Sequence, residues 1–115
     1  MQNRIILHKT IRDIQSVSTA HGVGEKRVLL SKDEINTPIT QIAKTVLREG
    51  VEVEKHAHKT MDEHFIFLRG KCRVITMDDS YFCEAGQYLF IPAGVPHRII
   101  ILTDTELITV GVVAE

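Results

Sequence analysis

Ten short runs rich in β-branched and aromatic residues, most of them closed by turn residues, constrain this chain more than any other feature. They are Arg4–His8, Arg27–Leu30, Ile39–Leu47, Val53–His58, Glu63–Leu68, Cys72–Met77, Tyr81–Cys83, Tyr88–Ile91, His97–Leu102 and Glu106–Val113. Runs of this length and spacing predict an all-β sandwich or barrel, with side chains alternating between a core face and an outer face. Turns are supplied by Glu49-Gly50, Arg69-Gly70, Asp78-Asp79-Ser80, Ala85-Gly86 and Pro92-Ala93-Gly94. A chain of 115 residues has room for one domain. Residues 36–115 read as its barrel and residues 1–35 as an N-terminal arm with edge strands. Within the arm, Thr10–Val17 is expected as a short helix capped by Thr10, and Ala20–Glu25, with two glycines around Val23, as a loop.

Composition closes off several classes. Apolar residues at 43% and charged residues at 25% are ordinary for a packed domain and exclude a disordered chain. No apolar run approaches the roughly eighteen residues of a membrane span, and charge recurs throughout residues 1–20, unlike a secretory signal. The expectation is a cytoplasmic protein without a membrane partner. Fourteen Lys and Arg against 15 Asp and Glu leave a net charge of -1, so no basic field draws in nucleic acid. A turn centred on Asp78-Asp79-Ser80 would pair Cys83 with Val74 and Cys72 with Ala85, placing the two thiols diagonally. They are expected to stay reduced.

The chemistry concentrates in the histidines, four of which fall between residues 56 and 97. His56 and His58 are one residue apart on a predicted strand, so their rings share a face. Glu63 opens the next predicted strand, and His97 opens a later one after Pro92-Ala93-Gly94-Val95-Pro96. Three imidazoles and a carboxylate suit one divalent first-row transition metal: Fe, Mn, Ni, Zn or Cu. Such a shell leaves coordination positions open for a substrate oxygen, which the ion would polarise as a Lewis acid. His64 competes with its neighbour Glu63 for the fourth position, but strand alternation points it to the opposite face. His8 and His21 belong to no constellation and read as surface or loop residues.

These residues carry a family resemblance. Gly50, His56-Ala57-His58, Glu63 and Gly70 resemble the first motif of the cupin family, and Gly86, Pro92-Ala93-Gly94 and His97 its second. Nine specified positions, each about one in twenty by average usage, give a chance match on the order of 1 in 10¹² per placement. The resemblance implies a double-stranded β-helix, a jelly-roll-like barrel, with His56, His58, Glu63 and His97 on one metal inside it. One position departs: the second motif usually closes with Asn four residues after the His, where this chain has Ile101. That position is not a ligand, so the change bears on packing.

The surroundings of the metal say less. By alternation Phe65 and Phe67 share the inward face with Glu63, as barrel filling or as a pocket wall. Tyr88 and Phe90 lie on a strand nearby. Gln41, Lys44, Thr45, Arg48, Tyr81, Tyr88 and Arg98 are candidates for a second polar group. Asp62 should face away from the metal. The glycines at 50, 70, 86 and 94 read as turn residues with positive φ. Three functions follow, in order: a metal-dependent cupin acting on a small polar molecule, by analogy a sugar or sugar derivative in isomerase/epimerase- or oxygenase-type chemistry; a non-catalytic binding or sensing module; and a barrel used for assembly. A small barrel with open ends and edges is also expected to form a homodimer, with Arg4–His8 as the edge to be covered.

Overall fold

The computed structural model describes residues 6–114. Ten strands run β1 (Val17–Ser18), β2 (Glu25–Ser31), β3 (Ile39–Leu47), β4 (Glu52–His56), β5 (Met61–Arg69), β6 (Lys71–Ile75), β7 (Ser80–Glu84), β8 (Tyr88–Ile91), β9 (His97–Ile101) and β10 (Thr105–Val113). A six-stranded sheet ordered β1-β2-β3-β10-β5-β8 stands beside a four-stranded sheet ordered β4-β9-β6-β7, and neighbouring strands pair antiparallel. This is the double-stranded β-helix that the motifs implied. The only helical elements among the described residues are single 3-10 turns at Ile11–Asp13 and Lys32–Glu34. No described helix is long and apolar enough to cross a membrane.

Period-two alternation builds both the core and the site. On β9, His97, Ile99 and Ile101 are buried while the residues between them are half-buried. On β5, Phe65 and Phe67 are buried and Ile66 and Leu68 exposed. With Leu47, Val53, Val74 and Leu107 these residues form the apolar core. The inward face of β5 continues from that core to Glu63, and that of β9 ends at His97. One end of the barrel is therefore hydrocarbon and the other carries the ionisable groups. Ile101, at the departing motif position, is 2% exposed inside the core. Its N–H donates to the Val51 carbonyl and its carbonyl accepts from the Gly50 N–H, both at 3.0 Å. A large hydrocarbon there extends the packing.

Turn chemistry follows the glycines: Gly50, Gly70, Gly86 and Gly94 have φ between 85 and 90°. Gly70 is doubly constrained. A Cβ would fall on the Asp104 carbonyl and lie 2.7 Å from Thr105 Cα, so neither conformation nor space admits a side chain.

Three local expectations are corrected. Arg4 and Ile5 of the first expected strand lie outside the described residues, and Ile6–His8 form no strand, with Ile6 91% exposed. Thr10–Val17 is not a helix. It closes one 3-10 turn, Asp13 N–H to the Thr10 carbonyl at 3.0 Å, and Val17 is already in β1. Eight residues hold too few hydrogen bonds to offset helix nucleation, and pairing with β2 offers Val17 an alternative. Cys72 stands directly opposite Cys83, two residues from the diagonal expectation. The turn is earlier than read: the Thr76 N–H donates to the Asp79 carbonyl at 2.9 Å, and Ser80 already belongs to β7. Both thiols are free and buried. The hydrogen bond to Cys83, and then burial, push the Cys72 thiol well above its ordinary range.

Candidate metal centre

The site sits between the two sheets. His56, the last residue of β4, is register partner to His97, the first of β9, and their rings lie 4.3 Å apart. Glu63 reaches in from β5 of the other sheet. Its Oε1 is 3.2 Å from His58 Nε2 and 3.8 Å from His97 Nε2. His58 lies two residues beyond the end of β4, on the turn and not on the strand itself. Its ring still meets His56 edge-on at 5.1 Å. The two motifs are braced together by backbone. The Gly94 N–H donates to the His58 carbonyl at 2.7 Å, and the Ala93 N–H donates to Asp62 Oδ1 at 2.8 Å. Asp62 thus turns away from the imidazoles and holds the turn that launches His97.

Hydrogen bonding fixes the tautomers of two rings. His56 Nδ1 lies 2.8 Å from the Glu54 carbonyl, and His97 Nδ1 lies 3.0 Å from the Val95 carbonyl. A carbonyl only accepts, so each Nδ1 carries the proton and each Nε2 presents a lone pair to the centre. The two buried side-chain polar atoms without a hydrogen-bond partner among the described residues are His97 Nε2 and Glu63 Oε1, which face each other. Two acceptors converging in a buried place are a costly arrangement that a cation would relieve.

Electrostatics agree. Burial, followed by the neighbouring histidines, pushes His97 below its ordinary range, although its bond to Val95 opposes the shift. Burial does the same to His58. Burial raises Glu63, against the opposing pull of His56. Without a cation the site favours neutral imidazoles and disfavours the carboxylate charge. His56, Glu63 and His97 bring ligand atoms within 4.8 Å of one another, as do His21, His56 and His58. The donor set and its orphaned atoms fit a divalent ion.

A cavity of about 340 Å³ opens beside these residues, walled by Leu47, Phe65, Ile99 and Leu107. Among the candidate second polar groups, Gln41 and Thr45 line it. The other five lie outside. Lys44 pairs with Glu106, Arg48 with Asp104 and Arg98 with Glu52, while Tyr81 bonds Asp79 and Tyr88 bonds His64. His64 is on the outer face, its ring stacked near Tyr88 and 2.6 Å from the hydroxyl. Tyr88 and Phe90, more than 40% exposed, share that outer face. Two ionisable cavity residues went unseen in the sequence. His21 comes from the loop before β2 and is exposed, as read, but its ring lies 4.0 Å from that of His56, so it does belong to a histidine cluster. Lys26 lies one residue before the expected start of β2. Extending the alternation of that strand by one residue would have turned it inward.

The span 44–113 matches the family model described as "Cupin domain", and the chain belongs to the cupin family. A search of curated proteins returned no match. Among solved structures, the chain is similar to a predicted oxalate decarboxylase from Thermotoga maritima, with 23% identity, a TM-score of 0.82, and coverage of 94% of this chain and 100% of that one. It is also similar to an RmlC-like cupin from Shewanella frigidimarina, with 19% identity, a TM-score of 0.77, and coverage of 99% and 95%. A third is ectoine synthase from P. lautus, with 14% identity, a TM-score of 0.82, and coverage of 93% and 78%. At such identities the likeness concerns the fold.

Proposed function

We propose that His56, His58, Glu63 and His97 hold one divalent first-row transition metal, and that the protein is an enzyme acting on a small polar molecule in the adjoining cavity. The carrying observation is the facing pair of unpartnered buried acceptors, His97 Nε2 and Glu63 Oε1. In this reading the bound ion supplies Lewis acidity toward a substrate oxygen. The chain's own residues do the rest. Val95 and Glu54 carbonyls hold two imidazoles in the donor tautomer. Glu63 supplies the balancing negative charge. Phe65 and Ile99 exclude water from the cavity wall. Ionisable side chains beyond the four ligands, His21 and Lys26, also face this cavity. They favour turnover over a non-catalytic binding module, for which apolar groups and amides would suffice. A sugar or sugar derivative, in isomerase/epimerase- or oxygenase-type chemistry, is the substrate class we carry forward. Protein purified without added metal should contain close to one equivalent of a first-row metal by elemental analysis. Protein that neither contains metal nor takes it up on reconstitution would overturn this reading.

We also propose that the protein is a homodimer, with a changed interface. The N-terminal segment gives no strand over Ile6–His8, whereas the outer face of β5 and β8 exposes Ile66, Leu68, Tyr88 and Phe90 by 41–58%. A contiguous apolar patch on a small barrel favours burial against a second copy. Light scattering should report twice the 13.0 kDa chain mass at micromolar concentration. A monomer mass, or a dimer unaffected by Ile66→Glu, would remove this surface from consideration.

A further inference from the structure

Lys26 is a half-buried lysine without a carboxylate partner among the described residues. Among the described residues, Lys9, Lys44, Arg48, Arg69 and Arg98 all pair with carboxylates, and the other unpaired lysines are exposed. The hydrogen bond that Lys26 makes is a long one, from Nζ to Gln41 Oε1 at 3.3 Å. An ammonium has three donors, so two remain for something else. Lysines withdrawn from water are ordinarily paired, because desolvating the charge is costly.

Position explains what the charge is for. Lys26 on β2 is register partner to Thr45 on β3, and cross-strand partners share a face. Thr45 is a buried inward residue, and both it and Lys26 line the cavity beside the proposed metal ligands. Gln41 lines it too. Since its Oε1 accepts from Lys26, its amide N–H groups are free to donate to the same incoming group. Gly111, register partner of Gln41, is closely packed on the same strand pair, since a Cβ there would strike Met61 Sδ and Thr40 Oγ1.

The charge balance selects the occupant. Glu63 contributes one negative charge and Lys26 one positive, and imidazoles that ligate an ion do so in the neutral form. A divalent ion would leave the cavity at about +2, against a largely hydrocarbon wall. We infer that the ligand of this cavity is an anion, carrying a carboxylate or phosphate that Lys26 and Gln41 receive while an oxygen at its other end faces the His/Glu cluster. The metal half of this charge argument rests on the proposed function; the unpaired lysine does not. A cavity of about 340 Å³ lies within the ordinary range of small-molecule sites.

The test is calorimetric titration of metal-loaded and chelator-stripped protein with four probes: glucose, glucuronate, glucose 6-phosphate and succinate. Wild-type protein should bind at least one anion tenfold or more tightly than glucose, with affinity falling as salt is raised. Lys26→Met should lose about tenfold in that affinity while retaining metal content and melting temperature, and Lys26→Arg should stay within about threefold of wild type. Preference for glucuronate or for glucose 6-phosphate identifies the oxyanion, and either supports the inference. Succinate binding without any sugar binding would keep the inference and remove the sugar reading. Lys26-dependent anion binding by stripped protein that never takes up metal would keep the inference and remove the metal. Glucose binding as tightly as the anions, Lys26→Met binding unchanged, or no binding of any anion would overturn it.

Discussion

Alanine in place of His97 is expected to lower metal affinity by at least about a hundredfold, roughly 2.7 kcal/mol, so that the protein desalts metal-free. His97 is the most buried of the proposed ligands, 2% exposed, and its lone pair is fixed on Nε2 by the Val95 carbonyl. Removing it deletes one donor and leaves Glu63 Oε1 facing a void. The metal's contribution to stability goes with it, since a ligand that binds only the folded state stabilises it by mass action. His58→Ala should act in the same direction. His64→Ala should leave metal content near wild type, because its ring lies on the outer face against Tyr88. Elemental analysis of the variants side by side checks the assignment. Equal metal loss from His64→Ala and Glu63→Ala would show that the fourth ligand has been misassigned.

The melting temperature of metal-loaded protein should exceed that of chelated protein by a margin that is widest above about pH 7 and shrinks toward pH 5. Imidazoles must be neutral to donate, so protons displace the ion as the pH falls through the histidine range. The chelated protein follows its own groups. Burial depresses His97 and His58, so the folded state holds fewer protons than the unfolded chain below about pH 6.5. Their contribution is therefore complete above that value and is lost on acidification. Glu63 has the opposite sign. Its raised value means the folded state keeps a proton that the unfolded chain releases, so stability is lost as the pH rises through the carboxylate range. Near neutrality the chelated protein thus carries an uncompensated buried carboxylate, which a cation would relieve. Thermal unfolding with and without chelator at several pH values checks this. A constant chelator effect from pH 7.5 to 5, or none at pH 7.5, contradicts the four-residue site.

Where residues alternate cleanly, the sequence was legible to the residue. β3 and β8 run Ile39–Leu47 and Tyr88–Ile91, the same bounds as the runs read from the pattern. His64 could be told from Glu63 because a strand offers two faces, and adjacent residues take different ones. Legibility failed where no period operates. The Cys72–Cys83 register depended on which of several polar residues formed the turn, and Thr76 proved to be the partner of Asp79. His21 was invisible for a related reason. A loop residue approaches a site by the path of the whole chain, and no spacing within Ala20–Glu25 encodes the 4.0 Å approach of its ring to His56. Lys26 was missed by one residue at a strand boundary, where assignments of strand ends are weakest.

The cavity draws its walls from an early and a later stretch of the chain. The proposed ligands come from β4, β5, β9 and the turn between β4 and β5, and that turn and the one preceding His97 are stitched together by Gly94, Ala93 and Asp62. His21 and Lys26 come from the segment before β3, which lies along the edge of the larger sheet. In the proposed reading, gripping an ion falls to the later stretch and choosing a guest to Lys26 in the earlier one. Replacements at Lys26 would retune which molecule is admitted while leaving the proposed ligands in place, whereas His21, its ring 4.0 Å from that of His56, borders the cage itself. Replacements in the cage would forfeit the chemistry whatever the guest.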